Sequence, residues 1–222
     1  MLSISEIAKL IDHTLLKAEA THAEIVGLCG EARRFGFAAV CINSFWVPLA
    51  FRELDDDKVS VCTVAGFPLG ASSTAAKVAE AGEAIDNGAR EIDMVLNIGA
   101  MRSGECKAVA RDIEGVVEEC HRAGAITKVI LETSLLTDDQ KEEACRIAKD
   151  AGAEYVKTST GFGPGGATEH DVELMRKAVG PRMGVKASGG IRTLLDLQRM
   201  VAAGASRIGA SAGVQIIEAA AV

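Results

Sequence analysis

Two lysines stand where a soluble protein does not ordinarily place them. Lys157 lies within Tyr155-Val156-Lys157-Thr158-Ser159-Thr160-Gly161, and Lys186 within Gly184-Val185-Lys186-Ala187-Ser188-Gly189-Gly190. Both stretches have the composition of strands that end in glycine. An ammonium group in a buried strand is costly unless something uses it. One reading is structural: two strand-end lysines whose long stems carry their charges out to solvent. The repeated pattern, lysine followed by Ser or Thr and then glycine, favours another. It suggests an amine nucleophile beside a pocket for phosphate.

Two close lysines have a definite chemistry. At the reference pKa of ~10.4, about one lysine in ~2500 is a free amine at pH 7. Burial and a neighbouring ammonium both disfavour the charged form. A fall of ~3 in that pKa makes the amine available and corresponds to about 4 kcal/mol. One lysine then attacks a carbonyl and forms a Schiff base while the other stays protonated. A nearby carboxylate moves the protons. The reaction class is aldol cleavage or condensation of a phosphorylated carbonyl compound.

The elements that must position these groups follow a repeat. Gly36, Gly88, Gly124, Gly152 and Gly204 each close a helical pattern and precede an apolar strand. From Gly88 the spacings to Gly124, Gly152, Gly180 and Gly204 are 36, 28, 28 and 24 residues. That is a βα unit of nearly constant length. Ser3-x-x-Glu6, Thr21-x-x-Glu24 and Thr137-x-x-Gln140 fit the capping box that starts a helix, and Thr168-x-x-Asp171 and Thr193-x-x-Asp196 are looser versions. The predicted strands are 12–16, 39–43, 59–65, 91–97, 127–133, 154–160, 184–188 and 207–211. Eight βα units predict a single (β/α)8 TIM barrel over residues 1–222, with an extra N-terminal helix at 3–10.

In this architecture the active site lies at the C-terminal ends of the strands, and the last βα loops often hold phosphate. Ser188-Gly189-Gly190, Gly209-Ala210-Ser211-Ala212-Gly213 and Gly161-Phe162-Gly163-Pro164-Gly165-Gly166 all fit, because bare N–H groups at a helix start bind phosphate oxygens. Other strand charges need partners. Lys128 and Glu132 are an even number of residues apart, so one continuous strand places them on one face, as an ion pair or as working groups. Asp12 opens the first strand. Asp93 interrupts Ile92-Asp93-Met94-Val95-Leu96 with no partner in its own strand, so Lys157 or Lys186 is its expected partner across the barrel.

Composition narrows the function. The chain has 222 residues, 48% hydrophobic and only 4% aromatic, so Val, Ile, Leu and Ala must build the core. A net charge of −7 argues against nucleic acid as a partner. The six cysteines form no Cys-x-x-Cys pair and read as reduced and buried in a cytoplasmic protein. Neither a signal segment nor a membrane-spanning run is evident. His13, His22, His121 and His170 have no metal-ligand spacing, the last three falling on predicted helix surfaces, and no dinucleotide fingerprint follows a strand. Neither a metal nor a cofactor is expected.

At these residues the sequence resembles the deoxyribose-phosphate aldolases, which are class I (Schiff-base) enzymes. The resemblance rests on Ile11-Asp12-His13-Thr14-Leu15-Leu16, Val40-Cys41-Ile42-Asn43, Glu91-Ile92-Asp93-Met94-Val95, Lys128-Val129-Ile130-Leu131-Glu132-Thr133, and the two lysine strands, the second running on through Ile191-Arg192-Thr193. It implies reversible cleavage of 2-deoxy-D-ribose 5-phosphate to acetaldehyde and D-glyceraldehyde 3-phosphate. Lys157 matches the Schiff-base lysine, Lys186 the second lysine and Asp93 the proton-relaying carboxylate. Asp12 matches a polar support near the substrate and Cys41 a pocket wall. Gly161, Gly190, Gly209 and Ser211 match phosphate-binding positions, with Thr160 and Gly189 beside them. A homo-oligomer, dimer or tetramer, is expected. Three departures stand out. Phe162 replaces a lysine found in some members, and Ala212 replaces a serine. The chain also lacks the tyrosine-ended tail of longer members, so no help with proton transfer is expected from such a tail. A Schiff-base aldolase for another phosphorylated sugar and a barrel that binds without catalysis are the competing readings.

Overall fold

The computed structural model describes residues 2–54 and 58–221. Its strands are β1 (Ile11–Leu15), β2 (Ala39–Ile42), β3 (Ser60–Ala65), β4 (Glu91–Val95), β5 (Ile126–Ile130), β6 (Tyr155–Lys157), β7 (Gly184–Ser188) and β8 (Arg207–Ala210). Each pairs in parallel with the next, and β8 returns to β1, so the sheet closes into a barrel. Around it run α1 (Ile4–Ala8), α2 (His22–Phe35), α3 (Val47–Glu53), α4 (Thr74–Asp86), α5 (Ile98–Arg102), α6 (Cys106–Arg122), α7 (Asp138–Asp150), α8 (Glu169–Val179), α9 (Leu194–Ala202) and α10 (Gly213–Ala220). This is the expected (β/α)8 barrel with its additional N-terminal helix. None of these helices is long and apolar enough to cross a membrane.

The local signals work as read. Ser3, Thr21, Thr137, Thr168 and Thr193 are the N-caps of α1, α2, α7, α8 and α9, each accepting from the N–H three residues on. Gly36 ends α2 at φ 70, and Gly124 and Gly152 take φ 69 and 88 after α6 and α7. Only glycine adopts that conformation cheaply. The helices bury one stripe each against the strands: Val109, Ile113, Val116, Val117 and Cys120 on α6 are all buried.

Register fixes which side chains meet. Lys157 stands directly opposite Lys186 across β6 and β7. Asp93 stands opposite Lys128 across β4 and β5. Residues paired in a parallel sheet point to the same face, so all four enter the barrel. The expected continuity of Lys128 with Glu132 does not hold. Strand β5 ends at Ile130, and Glu132 has a left-handed backbone, φ 53 and ψ 63. The even-number rule fails once the strand stops. Lys128 turns down to Glu91 and Asp93, and Glu132 turns to Thr160.

Candidate active site

The barrel interior holds a closed charge cluster. Asp93 Oδ2 lies 2.7 Å from Lys157 Nζ and 2.7 Å from Lys186 Nζ, and its Oδ1 lies 2.7 Å from Lys128 Nζ. Lys186 also pairs with Asp12, and Lys128 lies 2.6 Å from Glu91. Arg207 reaches Asp12 at 2.7 Å and Glu91 at 3.3 Å. Four basic side chains therefore face three carboxyl groups, and loss of one proton leaves the set neutral. Lys157 is held by one carboxylate, Lys186 by two, and Lys128 approaches three.

The electrostatics follow from burial and pairing. Burial opposes the charge of Asp93, yet Lys128, Lys157 and Lys186 hold its carboxyl well below the ordinary carboxylate range. Burial likewise opposes Asp12, and Lys186, Lys128 and Arg207 hold it at about 2. Lys186 is pushed down by burial but raised overall by Asp12 and Asp93, so it stays an ammonium. Lys128 is raised in the same way, with Asp93 its main partner. Cys62 sits 3.2 Å from Asp93, and burial raises its thiol well above the usual range.

Above the cluster a cavity of about 400 Å³ opens at the C-terminal ends of the strands. Lys157 reaches its floor; Lys186 and Asp93, fully buried, lie beneath. Thr160, Gly161, Gly189, Gly190, Gly209 and Ser211 line it, so six of the predicted binding residues converge there. Asp12 and Cys41 do not reach this lining. Asp12 supports Lys186 from below, and Cys41 packs with Leu16, Ala39, Cys62 and Val64. A larger depression of about 660 Å³ lies at the opposite barrel end, near Tyr155 and Gly184, and no residue of the interior cluster lines it. Size alone does not locate the chemistry.

The loops are shaped for an anion. Gly161, Gly189 and Gly190 have φ of 84, 90 and 82, the left-handed backbone from which anion-binding concavities are built. Ala212 caps α10 without a side-chain bond, which leaves first-turn N–H groups for a ligand. A Cβ on Gly209 would lie 2.3 Å from Ser188 Oγ and 3.1 Å from Lys186 Cε, so only glycine leaves room there.

Some contributors were given no individual role from sequence. Ser188, met there only inside the Ser188-Gly189-Gly190 turn, lines the cavity with a buried hydroxyl that lacks a partner among the described residues, two residues beyond Lys186 on the same face. That spacing was the available signal. Lys17 and Arg192 add cations at the rim. Glu91, two residues before Asp93, and Arg207 complete the cluster. Two sets of donors, Cys41 with Cys62 and Asp93, and Asp12 with Cys62 and Glu91, lie within 4.8 Å of one another. Their carboxyl groups already carry lysine or arginine, so these sets fit a cation poorly.

Residues 6–219 match the family model for DeoC/LacD family aldolases. A protein of Caldanaerobacter subterraneus subsp. tengcongensis named deoxyribose-phosphate aldolase is 59% identical over 217 residues, which is 97% of this chain and 94% of that one. The crystal structure of a putative deoxyribose-phosphate aldolase from Coccidioides immitis superposes with a TM-score of 0.95 at 45% identity, covering 100% of this chain and 88% of the other. The deoxyribose phosphate aldolase of Aeropyrum pernix, described as a unique tetramer, gives 0.91 at 35% identity over 97% and 91% of the two chains.

Proposed function

The chain belongs to the DeoC/LacD family of aldolases, and from that premise we propose that it cleaves 2-deoxy-D-ribose 5-phosphate reversibly to acetaldehyde and D-glyceraldehyde 3-phosphate. It is a class I lyase, and Lys157 is the nucleophile. One observation carries the assignment of roles: Lys157 and Lys186 share Asp93 Oδ2 at 2.7 Å, and only Lys157 reaches the cavity.

The amine of Lys157 adds to the C1 aldehyde of the open-chain sugar, and water leaves to give an iminium ion. A base removes the C3 hydroxyl proton. The C2–C3 bond breaks, its electron pair flows into the iminium, and glyceraldehyde 3-phosphate departs as an aldehyde. The remaining enamine takes a proton at carbon, and water then hydrolyses the iminium to release acetaldehyde and restore the lysine. Asp93, which lies against both lysines, moves these protons through water. Lys186 keeps a positive charge beside the developing iminium and holds Asp93 in place.

The 5-phosphate sits among the N–H groups of Gly161, Gly189 and Gly190 and the start of α10, beside Ser211, with Lys17 and Arg192 at the rim. Thr160 and Gly209 shape the wall. Asp12 and Cys41 act from beneath, as support and packing. Residues 1–222 act as one catalytic domain, in the cytoplasm, as a homo-oligomer. The test is borohydride trapping with deoxyribose 5-phosphate or acetaldehyde, read by intact mass and peptide mapping. The expected result is an adduct on Lys157. Binding of substrate without an adduct there would leave a sugar-phosphate-binding barrel and cancel the mechanism.

A further inference from the structure

Glu132 is a buried acidic residue outside the charge cluster, and its backbone is the one non-glycine with positive φ among the described residues. Such a conformation costs of order 1–3 kcal/mol and persists only where surrounding structure imposes it. The surroundings are specific. Its carboxyl group accepts from the Thr160 N–H at 3.3 Å and from the Thr160 hydroxyl. The Thr160 Oγ1 in turn accepts from the Phe162 N–H at 3.0 Å. The hydroxyl proton is thus committed to Glu132 and its lone pair to the loop. The two bonds hold Thr160-Gly161-Phe162 in one shape.

The loop is also laid directly on this side chain. A Cβ on Gly163 would lie 2.8 Å from Glu132 Cδ and 3.0 Å from each carboxyl oxygen. A Cβ on Gly165 would lie 2.7 Å from Ser134 Cβ, and one on Gly166 would lie 2.4 Å from the Gly189 carbonyl oxygen. The Ala167 N–H then donates to that Gly189 oxygen at 3.0 Å. The glycine run after β6 is therefore moulded over Glu132 at one end and over the Gly189-Gly190 turn at the other. These are the two backbone turns assigned to the substrate phosphate above. Glu132 itself does not line the cavity.

We propose that Glu132 is a positioning residue that sets the phosphate-binding turn of the β6–α8 loop through Thr160, and thereby determines the preference for phosphorylated over unphosphorylated substrate. The inference rests on the aldolase reading above. Glu132 touches none of the interior lysines or carboxylates of the cluster, so losing it disturbs the phosphate end and leaves the Schiff-base end in place.

The experiment compares kcat/KM for 2-deoxy-D-ribose 5-phosphate with that for 2-deoxy-D-ribose in wild type, Glu132→Ala, Glu132→Gln and Thr160→Val. Wild-type borohydride trapping on Lys157 serves as the separate check of the aldolase reading. Glu132→Ala is expected to raise KM for the phosphorylated sugar about tenfold, the effect of a lost charge-assisted hydrogen bond. Its kcat and its turnover of the unphosphorylated sugar should stay within about threefold of wild type. Thr160→Val should shift the preference in the same direction. Glu132→Gln keeps an acceptor for Thr160 and should recover most of the preference. Equal losses on both substrates, an unchanged preference in Glu132→Ala and Thr160→Val, or failure of Glu132→Gln to recover would overturn the proposal. If Glu132→Ala does not fold, Thr160→Val and Glu132→Gln decide it by the same ratio.

Discussion

Lys157 and Lys186 stand opposite each other on neighbouring parallel strands, and their side-chain nitrogens both lie 2.7 Å from Asp93 Oδ2. One carboxylate oxygen therefore serves two cations, while the other oxygen of Asp93 serves Lys128. The arrangement couples any change at one lysine to the other.

That coupling predicts a shifted pH profile. Lys186→Leu removes a buried cation that shares an oxygen with Lys157 and leaves Asp12 with one fewer partner. The remaining activity is expected to be low and its optimum to move alkaline, since no neighbouring positive charge then opposes a second one. The check is kcat against pH for wild type and variant. An unchanged profile would remove Lys186 from the tuning role.

Stability should depend on pH in an equally specific way. Asp12 and Asp93 have depressed folded values, so their contribution is complete above the unfolded carboxylate value and is lost as pH falls toward their folded values. For Asp12, a fall from 3.8 to about 2 corresponds to about 2 kcal/mol. Lys186 has a raised value, so its contribution is complete below the unfolded lysine value and fades only at strongly alkaline pH. A plateau is expected from about pH 5 to about pH 9, with an acid limb below pH ~4. Urea unfolding at stepped pH measures it. Asp12→Asn should flatten the acid limb while lowering the plateau.

How much of this was legible from the residues alone varies with the physics involved. Gly36, Gly124 and Thr137 act through local backbone geometry, so their signals survive without the fold. The lysine strands were visible because a charge in a strand is anomalous wherever the strand lies. Pairing was less accessible. Lys128 and Glu132 looked like partners on the assumption of a continuous strand, and the left-handed turn at Glu132 removed that assumption. Asp93 was expected to meet one lysine and meets three. Closing the barrel brings those strands together, and no local pattern encodes the closure. Lys17 joins the cavity only because the segments after β1, β6, β7 and β8 converge on it.

Gly209 offers a test of packing at the site. Gly209→Ala places a methyl group 2.3 Å from Ser188 Oγ and 3.1 Å from Lys186 Cε. Ser188 must then rotate and the Lys186 stem must yield. A displacement of that size near reacting groups costs on the order of 10²-fold in rate. The expected outcome is a loss of kcat/KM of that order with a melting temperature close to wild type, read by steady-state kinetics and circular dichroism.

The cysteines give a prediction independent of catalysis. Burial is the main force raising Cys29 and Cys120 to about 11 and Cys145 to about 12, and it also raises Cys62. Cys41 has no exposed surface, whatever its thiol chemistry. Cys106, at the start of α6, is only partly buried. Thiolates react and thiols do not, and access limits both. Native protein at pH 7.5 should therefore label rapidly with iodoacetamide at Cys106 alone, and all six cysteines should label after denaturation. Peptide mapping by mass spectrometry separates the cases. Rapid native labelling at Cys41 or Cys62 would mean that the barrel opens to its charge cluster far more often than a closed, ion-paired cluster allows.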